Sequence, residues 1–202
     1  MRVLVIAPHL EPDSAPTGVI ISAVLEELSQ LGLEIHAITS LPWYEKHEVG
    51  KNWRGKGLHR LFRTDSENYG KVTRCYPFPF SKKSLMKRGL GFIGFTILTA
   101  IPALFTRKKF DAVLTISPPL TLGLVGWIAS RRHRCPHILN IQDVFPDVAI
   151  QVGAITSPQM IRIFKNLELF CYKKSAAISV LSEDLAENVR SKIGSTDSQI
   201  TV

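Results

Sequence analysis

Short apolar runs alternate with amphipathic stretches along the chain. The first run, Arg2 to Ala7, is continuous, as a strand covered on both faces requires. Thr17 to Leu31 carries apolar residues at helical spacing and ends before Gly32, a common helix stop. Leu33 to Ile38 predicts a second strand, so the first forty residues or so predict a βαβ unit in a parallel sheet. The predicted buried stripe of the helix consists of Val24, Leu25, Leu28 and Leu31.

The same alternation continues to the last residue. The further predicted strands are Val72 to Tyr76, Phe110 to Ile116, His137 to Ile141, Ala176 to Leu181 and Gln199 to Val202. The predicted helices are Ser84 to Thr106, Pro119 to Arg131, Pro158 to Lys174 and one that begins after Ser182. Leu41 to Gly70 sustains no period, which predicts a long loop that is either functional or partly mobile. The predicted fold class is α/β, an open doubly wound Rossmann-like parallel sheet that forms one domain over residues 1–202.

Polar and aromatic residues follow several of the predicted strands. Ligands of open parallel sheets bind outside the carboxyl ends of the strands, so these residues are candidate binding groups. They are His9, Trp43, Ser117, Gln142 and Asp143. His9 is equally well explained as a structural histidine, and Ser117 is better explained as the N-cap of the next helix. Asp143 is either a functional carboxylate or a cap for backbone amides of a neighbouring loop.

Two other carboxylates carry specific expectations. Asp147 lies beyond Pro146, and we expect it to be less constrained than Asp143. Glu168 lies within an apolar helix stripe, so we expect a buried partner such as an arginine or a backbone amide.

One sequence motif for dinucleotide binding is present, but it does not lie between a strand and a helix. Gly89 to Gly94 fits G-x-G-x-x-G, which binds a pyrophosphate only in the turn between a strand and a helix. The residues before it do not form a strand, and Asp111, about twenty positions on, opens a strand instead of following one. We therefore reject a dinucleotide site. No P-loop, G-x-S-x-G or HExxH motif occurs.

The positive charge is concentrated in one segment. Residues 51–109 contain 14 Lys/Arg and two acids, a balance of +12, whereas the rest has 11 basic and 15 acidic residues, a balance of −4. This excess indicates an anionic or phosphate-bearing partner, or else a solvated face. The three cysteines are far apart and form no CxxC, which predicts reduced thiols in a cytosolic setting and no metal site. No secretory signal is predicted.

An uncharged segment of 18 residues, Gly89 to Thr106, lies between clusters of basic residues. It is close to the ~20 apolar residues that a membrane-spanning helix needs, but it contains three glycines and Pro102. We favour an interfacial helix that packs on the sheet and presents an apolar surface to an anionic membrane, with a spanning helix and a buried helix as alternatives. The basic residues predicted to face the membrane are Lys82, Lys83, Lys87, Arg88, Arg107, Lys108 and Lys109.

Five segments together carry a family resemblance. They are RVLVIAPHLEPDSAPTG, ITSLPWY, FDAVLTISPPL, NIQDVFPD and LELFCYKKSAAISVLSEDL, and their order and spacing are more specific than any one of them. Over nearly all 202 residues the chain resembles the N-terminal domain of GT-B fold glycosyltransferases of family 4, the branch that builds bacterial surface polysaccharides such as colanic acid and O-antigen.

The resemblance implies that the acceptor and the donor are bound by different domains. This domain would bind the acceptor, a lipid-linked glycan, and a second domain, absent from this chain, would bind the nucleotide-sugar, so we expect the chain alone to transfer no sugar. Transfer in that family usually proceeds with retention and without a required metal, and no cofactor is implied. Gly18 occupies the place of the loop glycine that approaches the donor diphosphate, although the usual paired glycine is missing. Asp143 occupies the place of the polar residue that faces the transferred sugar or acceptor.

We therefore predict a cytoplasmic protein, peripheral at the inner face of the membrane, that binds no nucleic acid. Two other classes stay open at this stage. A stand-alone nucleotide-binding α/β protein would bind nucleotide by this chain alone, and a non-catalytic membrane adaptor would bind lipid without any role in sugar transfer.

Overall fold

A computed structural model of the protein describes residues 1–79, 85–194 and 199–202. The strands are β1 (Arg2–Ile6), β2 (Glu34–Ser40), β3 (Phe62–Glu67), β4 (Gly70–Cys75), β5 (Ala112–Ser117), β6 (His137–Ile141), β7 (Ala177–Val180) and β8 (Ile200–Thr201). The helices are α1 (Pro16–Gln30), α2 (Leu85–Phe105), α3 (Leu120–His133), α4 (Asp147–Gln151), α5 (Pro158–Lys174) and α6 (Glu183–Ile193). These elements bear out the predicted α/β class.

Within these residues the strands form one sheet in the order β3-β4-β2-β1-β5-β6-β7-β8. Every neighbouring pair is parallel except β3 and β4, which are antiparallel. The chain moves outward in one direction from β1 to β2 and β4, and then returns to the other side of β1 with β5. The strand order therefore reverses between β1 and β5, as in a doubly wound sheet.

Helices cover both faces of the sheet, and β1 shows how the sequence achieves this. Successive side chains of a strand point to opposite faces. Val3 and Val5 pack in one cluster with residues of α1, whereas Leu4 and Ile6 pack in another with residues of α2 and α3. A third cluster joins β6 and β7 to α5 and α6. A continuous apolar run is thus what this central strand requires.

The buried face of α1 differs from the predicted stripe. Val24 and Leu31 are exposed. The buried residues of the helix are Gly18, Ile21, Ser22 and Leu25. The Ser22 hydroxyl accepts a hydrogen bond from the Glu11 amide at 2.9 Å, so a polar residue is used on the buried side. Of the predicted stripe, Leu25 is fully buried and Leu28 packs against the same core cluster.

The segment from Leu41 to Gly70 is not a single loop. It contains two short 3₁₀ turns, Lys51–Trp53 and Gly57–Arg60, and the edge strand β3. β3 pairs with β4 through a tight turn at Asn68. Its sequence, FRTDSE, has polar residues on both faces, so it lacks the apolar alternation that identifies a half-buried strand.

The helix α3 packs very closely on β5 and β6. An added Cβ at Gly126 would lie 2.0 Å from Thr115 Oγ1 and 2.6 Å from His137 Nε2. These two atoms are themselves hydrogen-bonded at 3.0 Å. Burial lowers the pKa of His137 to about 4, so the ring is neutral at pH 7. The absence of a side chain at Gly126 lets the helix rest on this buried polar pair.

We predict that Gly126→Ala lowers the melting temperature, because the new methyl group has no space above the Thr115–His137 pair. Overpacking of this kind typically costs ~1–3 kcal/mol, more than the ~1 kcal/mol that alanine gains over glycine in a helix. Thermal unfolding followed by circular dichroism measures the change. Ile128→Ala, on the exposed side of α3, is the matched control, and an unchanged melting temperature for Gly126→Ala would contradict the packing argument.

Candidate functional site

The candidate site lies at the carboxyl edge of the sheet. His9 follows β1, Trp43 follows β2, Ser117 ends β5, and Gln142 and Asp143 follow β6. Because β1 and β5 are neighbours at the reversal of strand order, His9 and Ser117 flank the place where open α/β sheets form their binding crevice. The topology thus brings the residues predicted from the sequence to one edge.

His9 is held by a carboxylate that the sequence analysis missed. Its Nδ1 lies 2.7 Å from Asp13 Oδ2, and Asp13 is only 2% exposed. The other oxygen of Asp13 accepts the backbone amide of Tyr44 at 3.0 Å. The ring of His9 also stacks on Trp43, with centroids 5.8 Å apart and an interplanar angle of 29°. Asp13 therefore joins the loop after β1 to the loop after β2 and fixes the His9 ring.

Gly18 contributes to this arrangement by its small size. A Cβ at Gly18 would lie 3.0 Å from the Cβ of His9 and 3.2 Å from its carbonyl carbon. The first turn of α1 thus lies directly against the His9 backbone. The expected contact of Gly18 with a donor diphosphate stays a prediction.

Ser117, the last residue of β5, lies beside Gln142, the first residue after β6. The backbone amide of Gln142 donates to the Ser117 carbonyl at 3.0 Å, and its side chain donates to Asn140 Oδ1 at 3.1 Å. Ser117 is buried, and it is not the helix cap that we expected. The N-cap of α3 is Pro119, with no side-chain hydrogen bond, because two prolines separate Ser117 from the helix.

Asp143 is exposed at the end of β6, and its Oδ1 accepts the backbone amide of Val144 at 2.7 Å. This local bond is of the capping kind that the sequence analysis allowed, although it involves the adjacent residue. The rest of the carboxylate faces solvent. This geometry fits a functional carboxylate as well as a cap for backbone amides.

Asp147 is more constrained than Asp143, contrary to expectation. It begins α4, and its Oδ2 accepts a hydrogen bond from Lys192 Nζ at 2.6 Å. The same ammonium donates to Glu168 Oε1 at 2.7 Å, and the hydroxyl of Tyr172 donates to that oxygen at 3.0 Å. The partners of Glu168 are thus a lysine and a tyrosine, not an arginine or a backbone amide. Burial raises the pKa of Glu168, although the hydrogen bond from Lys192 acts in the opposite direction.

The rejected glycine motif lies inside α2, not in a turn after a strand. The same helix presents a strip of exposed apolar side chains that recur every four residues: Ile93, Ile97, Ile101 and Phe105. Across the described residues, no helix combines the length and the apolar character needed to cross a membrane.

The basic residues predicted to face a membrane are only partly described. Lys82 and Lys83 lie outside the described residues, as do the side chains of Lys87 and Arg88. Arg107, Lys108 and Lys109 are exposed just after α2. Lys108 Nζ lies 3.0 Å from Glu34 Oε1, so part of its charge is compensated. Within residues 1–79, 85–194 and 199–202, no three His, Cys, Asp or Glu side chains are grouped so that they could hold a metal ion.

Comparison with known proteins gives a family, a curated relative and a solved structure. The model of a family described as "Glycosyl transferase 4-like domain" matches residues 17–202. The "Putative colanic acid biosynthesis glycosyl transferase WcaI" of Escherichia coli strain K12 is 25% identical over 154 residues, which cover 76% of this chain and 37% of the relative.

The crystal structure of HepE from Anabaena, solved with UDP and glucose, matches 100% of this chain and 43% of its own, with 13% identity and a TM-score of 0.46. The chain spans 37% of the length of the relative and 43% of the length of the solved structure.

We predict that Lys192→Met destabilises the protein, because it leaves the buried Glu168 carboxylate without its cation. Removing one partner of a buried ion pair costs up to ~3–5 kcal/mol. The pKa of Glu168 in the folded variant should rise further above its value in the unfolded chain. The deficit against the parent should therefore be full at neutral pH and shrink as the pH falls through that raised pKa.

Chemical denaturation at several pH values measures this deficit, and Lys165→Met, an exposed lysine of α5, is the control. A deficit that does not change with pH would show that the lost ion pair is not its cause.

Proposed function

The chain belongs to the glycosyl transferase 4-like family, and on that premise we propose that it is the acceptor-binding domain of a GT-B glycosyltransferase. In this proposal a second domain binds the nucleotide-sugar, and the sugar is transferred in the cleft between the two. The donor is a substrate, and no resident cofactor or metal takes part. The acceptor is a lipid-linked glycan in surface polysaccharide synthesis.

One observation carries the assignment of the site. His9, with Asp13 and Trp43, lies on one side of the strand reversal, and Ser117 lies on the other. A histidine whose Nδ1 is fixed by a buried carboxylate keeps its Nε2 at a defined orientation. An aromatic ring beside it offers an apolar surface, and the neighbouring Gln142 offers amide groups. These are the groups that a sugar with several hydroxyls requires.

The proposed product class rests on the curated relative. WcaI is named as a putative colanic acid biosynthesis glycosyl transferase, and it shares 25% identity with this chain over 154 residues. The exposed apolar strip of α2 supports a membrane-associated acceptor. We propose a cytoplasmic enzyme that is peripheral at the inner face of the membrane and binds no nucleic acid.

Asp143 is the proposed catalytic carboxylate, acting on the acceptor hydroxyl as a base or as an orienting group. In the enzyme that combines this domain with a nucleotide-sugar domain, Asp143→Asn should lower the single-turnover rate by ~10²–10⁴ if it takes part in proton transfer. The melting temperature should change little, because an asparagine oxygen can still accept the amide of Val144. Radiolabelled transfer from a panel of nucleotide-sugars to lipid-linked acceptors measures the rate.

Asp184→Asn, an exposed carboxylate in the first turn of α6, serves as the control, and the 202-residue chain alone should show no transfer. Normal turnover together with a lowered melting temperature would make Asp143 structural. Turnover by the chain alone would refute the division between two domains.

Membrane binding is proposed to occur through α2. Ile97 and Phe105 are 59% and 79% exposed, and Arg107 and Lys109 follow the helix. Apolar side chains inserted beside basic ones favour an anionic bilayer surface, at roughly 1 kcal/mol per nearby Lys/Arg. We expect binding to phosphatidylglycerol-containing vesicles that weakens with added salt.

Replacing Ile97 and Phe105 together by serine should reduce vesicle binding in a flotation assay without lowering stability. Val152→Ser is the matched control, because Val152 is 72% exposed on a different part of the surface. Equal binding to neutral and anionic vesicles at every salt concentration would rule out the proposed electrostatic contribution.

A further inference from the structure

A cavity of about 230 Å³ opens at the carboxyl edge of the sheet, beyond β2 and β4. Leu41 and Tyr76 line it, and each is the first residue after one of these strands. The connection between β2 and β3, which contains the two 3₁₀ turns, supplies Trp53, Arg54 and Arg60 to the lining. The cavity therefore shares an edge with His9 and Trp43 but is formed by other residues.

Trp53 is a fixed wall of this cavity. The guanidinium carbons of Arg63 and Arg74 lie 4.5 Å and 5.2 Å from its ring centroid. Arg74 is fully buried and contacts Asp65 at 3.2 Å and Glu67 at 2.6 Å. Arg63 contacts Asp65 at 2.8 Å. The two cations that contact the indole are thus paired with two carboxylates, so this group of four side chains carries no net charge.

The charge inside the cavity is different, because its arginines are only partly compensated. Arg54 donates from Nε to the Val49 carbonyl at 2.8 Å and contacts the exposed Glu48 carboxylate at 3.3 Å. Arg60 makes no hydrogen bond or ion pair with any residue of the described part of the chain. Two guanidinium groups and one carboxylate therefore line the cavity.

We propose that this cavity binds a phosphate group of the acceptor. Guanidinium groups present forked donors that match phosphate oxygens, and Glu48 has to leave Arg54 when the anion enters. The cavity is smaller than the ~300–1,000 Å³ typical of sites that enclose a whole drug-sized ligand, so it suits one charged end of a larger molecule.

The source of this phosphate is a lipid-linked acceptor. Pro79 also lines the cavity, and α2, which carries the exposed apolar strip, begins at Leu85. The cavity is thus adjacent in the chain to the proposed membrane-binding helix. A phosphate that joins a glycan to a lipid lies at this boundary between membrane and water. This inference rests on the proposed function and names the chemistry by which the site would hold its acceptor.

Isothermal titration calorimetry of the 202-residue chain tests the proposal with three probes: geranyl diphosphate, glucose 1-phosphate and inorganic phosphate. We expect geranyl diphosphate to bind most tightly. Arg60→Gln should weaken its binding by about tenfold or more, as the loss of a charge-assisted contact implies. Arg60→Lys should restore part of the affinity. Arg132→Gln, an exposed arginine of α3, should bind like the parent.

A second variant is expected to strengthen binding instead of weakening it. Glu48→Gln removes the competing carboxylate and should tighten binding several-fold, which no loss of folding could imitate. Equal affinities of the parent, Arg60→Gln and Glu48→Gln would overturn the proposal, and so would the absence of binding by all three probes. Equal binding of glucose 1-phosphate and geranyl diphosphate would overturn the lipid-linked source.

Because calorimetry does not require transfer, these outcomes are separate from the proposed enzyme activity. Loss of transfer with intact Arg60-dependent binding would count against the enzyme proposal alone. Transfer that is unaffected by Arg60→Gln, combined with unchanged binding, would count against the phosphate site alone.

Discussion

The strand β1 has to pair with β2 on one side and β5 on the other while helices cover both of its faces. Leu4, Val5 and Ile6 are completely buried, and β1 forms parallel ladders with both of its neighbours. Beyond the end of β1, the loops to either side lead to helices on opposite faces, so they separate and leave a crevice. The position of His9 follows from this constraint and not from any local preference of the residue.

Much of the fold could be predicted because parallel strands buried on both faces give continuous apolar runs. The runs at Arg2 to Ala7 and His137 to Ile141 identified β1 and β6 to within one residue. The bounds of α5 also agree, because a proline in its first turn and an amphipathic stripe mark it clearly. β3 could not be predicted, since an exposed edge strand needs no apolar face. α4 has only five residues, too few to establish a helical period.

The sequence predicted at which edge of the sheet the site residues lie, but it did not predict which residues they contact. The rule for strand ends brought His9, Trp43 and Gln142 to one edge, but the buried partner of His9 is Asp13, in a loop without periodicity. The pairing of Asp147 with Lys192 joins residues 45 positions apart, which no local pattern can indicate. Similarly, the cavity wall at Trp53 depends on two arginines supplied by the β3–β4 hairpin.

The positive charge of residues 51–109 is partly paired with carboxylates in the folded chain. A balance of +12 over residues 51–109 suggests a uniformly positive surface. Asp65 and Glu67, the two acids already included in that balance, pair with Arg63 and Arg74, whereas Arg54 and Lys108 pair with Glu48 and Glu34 from outside the segment.

The polar sequence of β3, which prevented its prediction, also affects how readily the protein aggregates at high concentration. An unpaired outer strand offers free amide and carbonyl groups to any other extended chain, and charged side chains are a common defence against such association. β3 carries Arg63, Asp65 and Glu67 along this border. The sheet is thereby protected against edge-to-edge aggregation on the side where the long connection from β2 enters. The connection between β2 and β3 can therefore change in length and sequence without exposing an edge of the sheet that is prone to aggregation. Such changes would alter which ligands the protein binds.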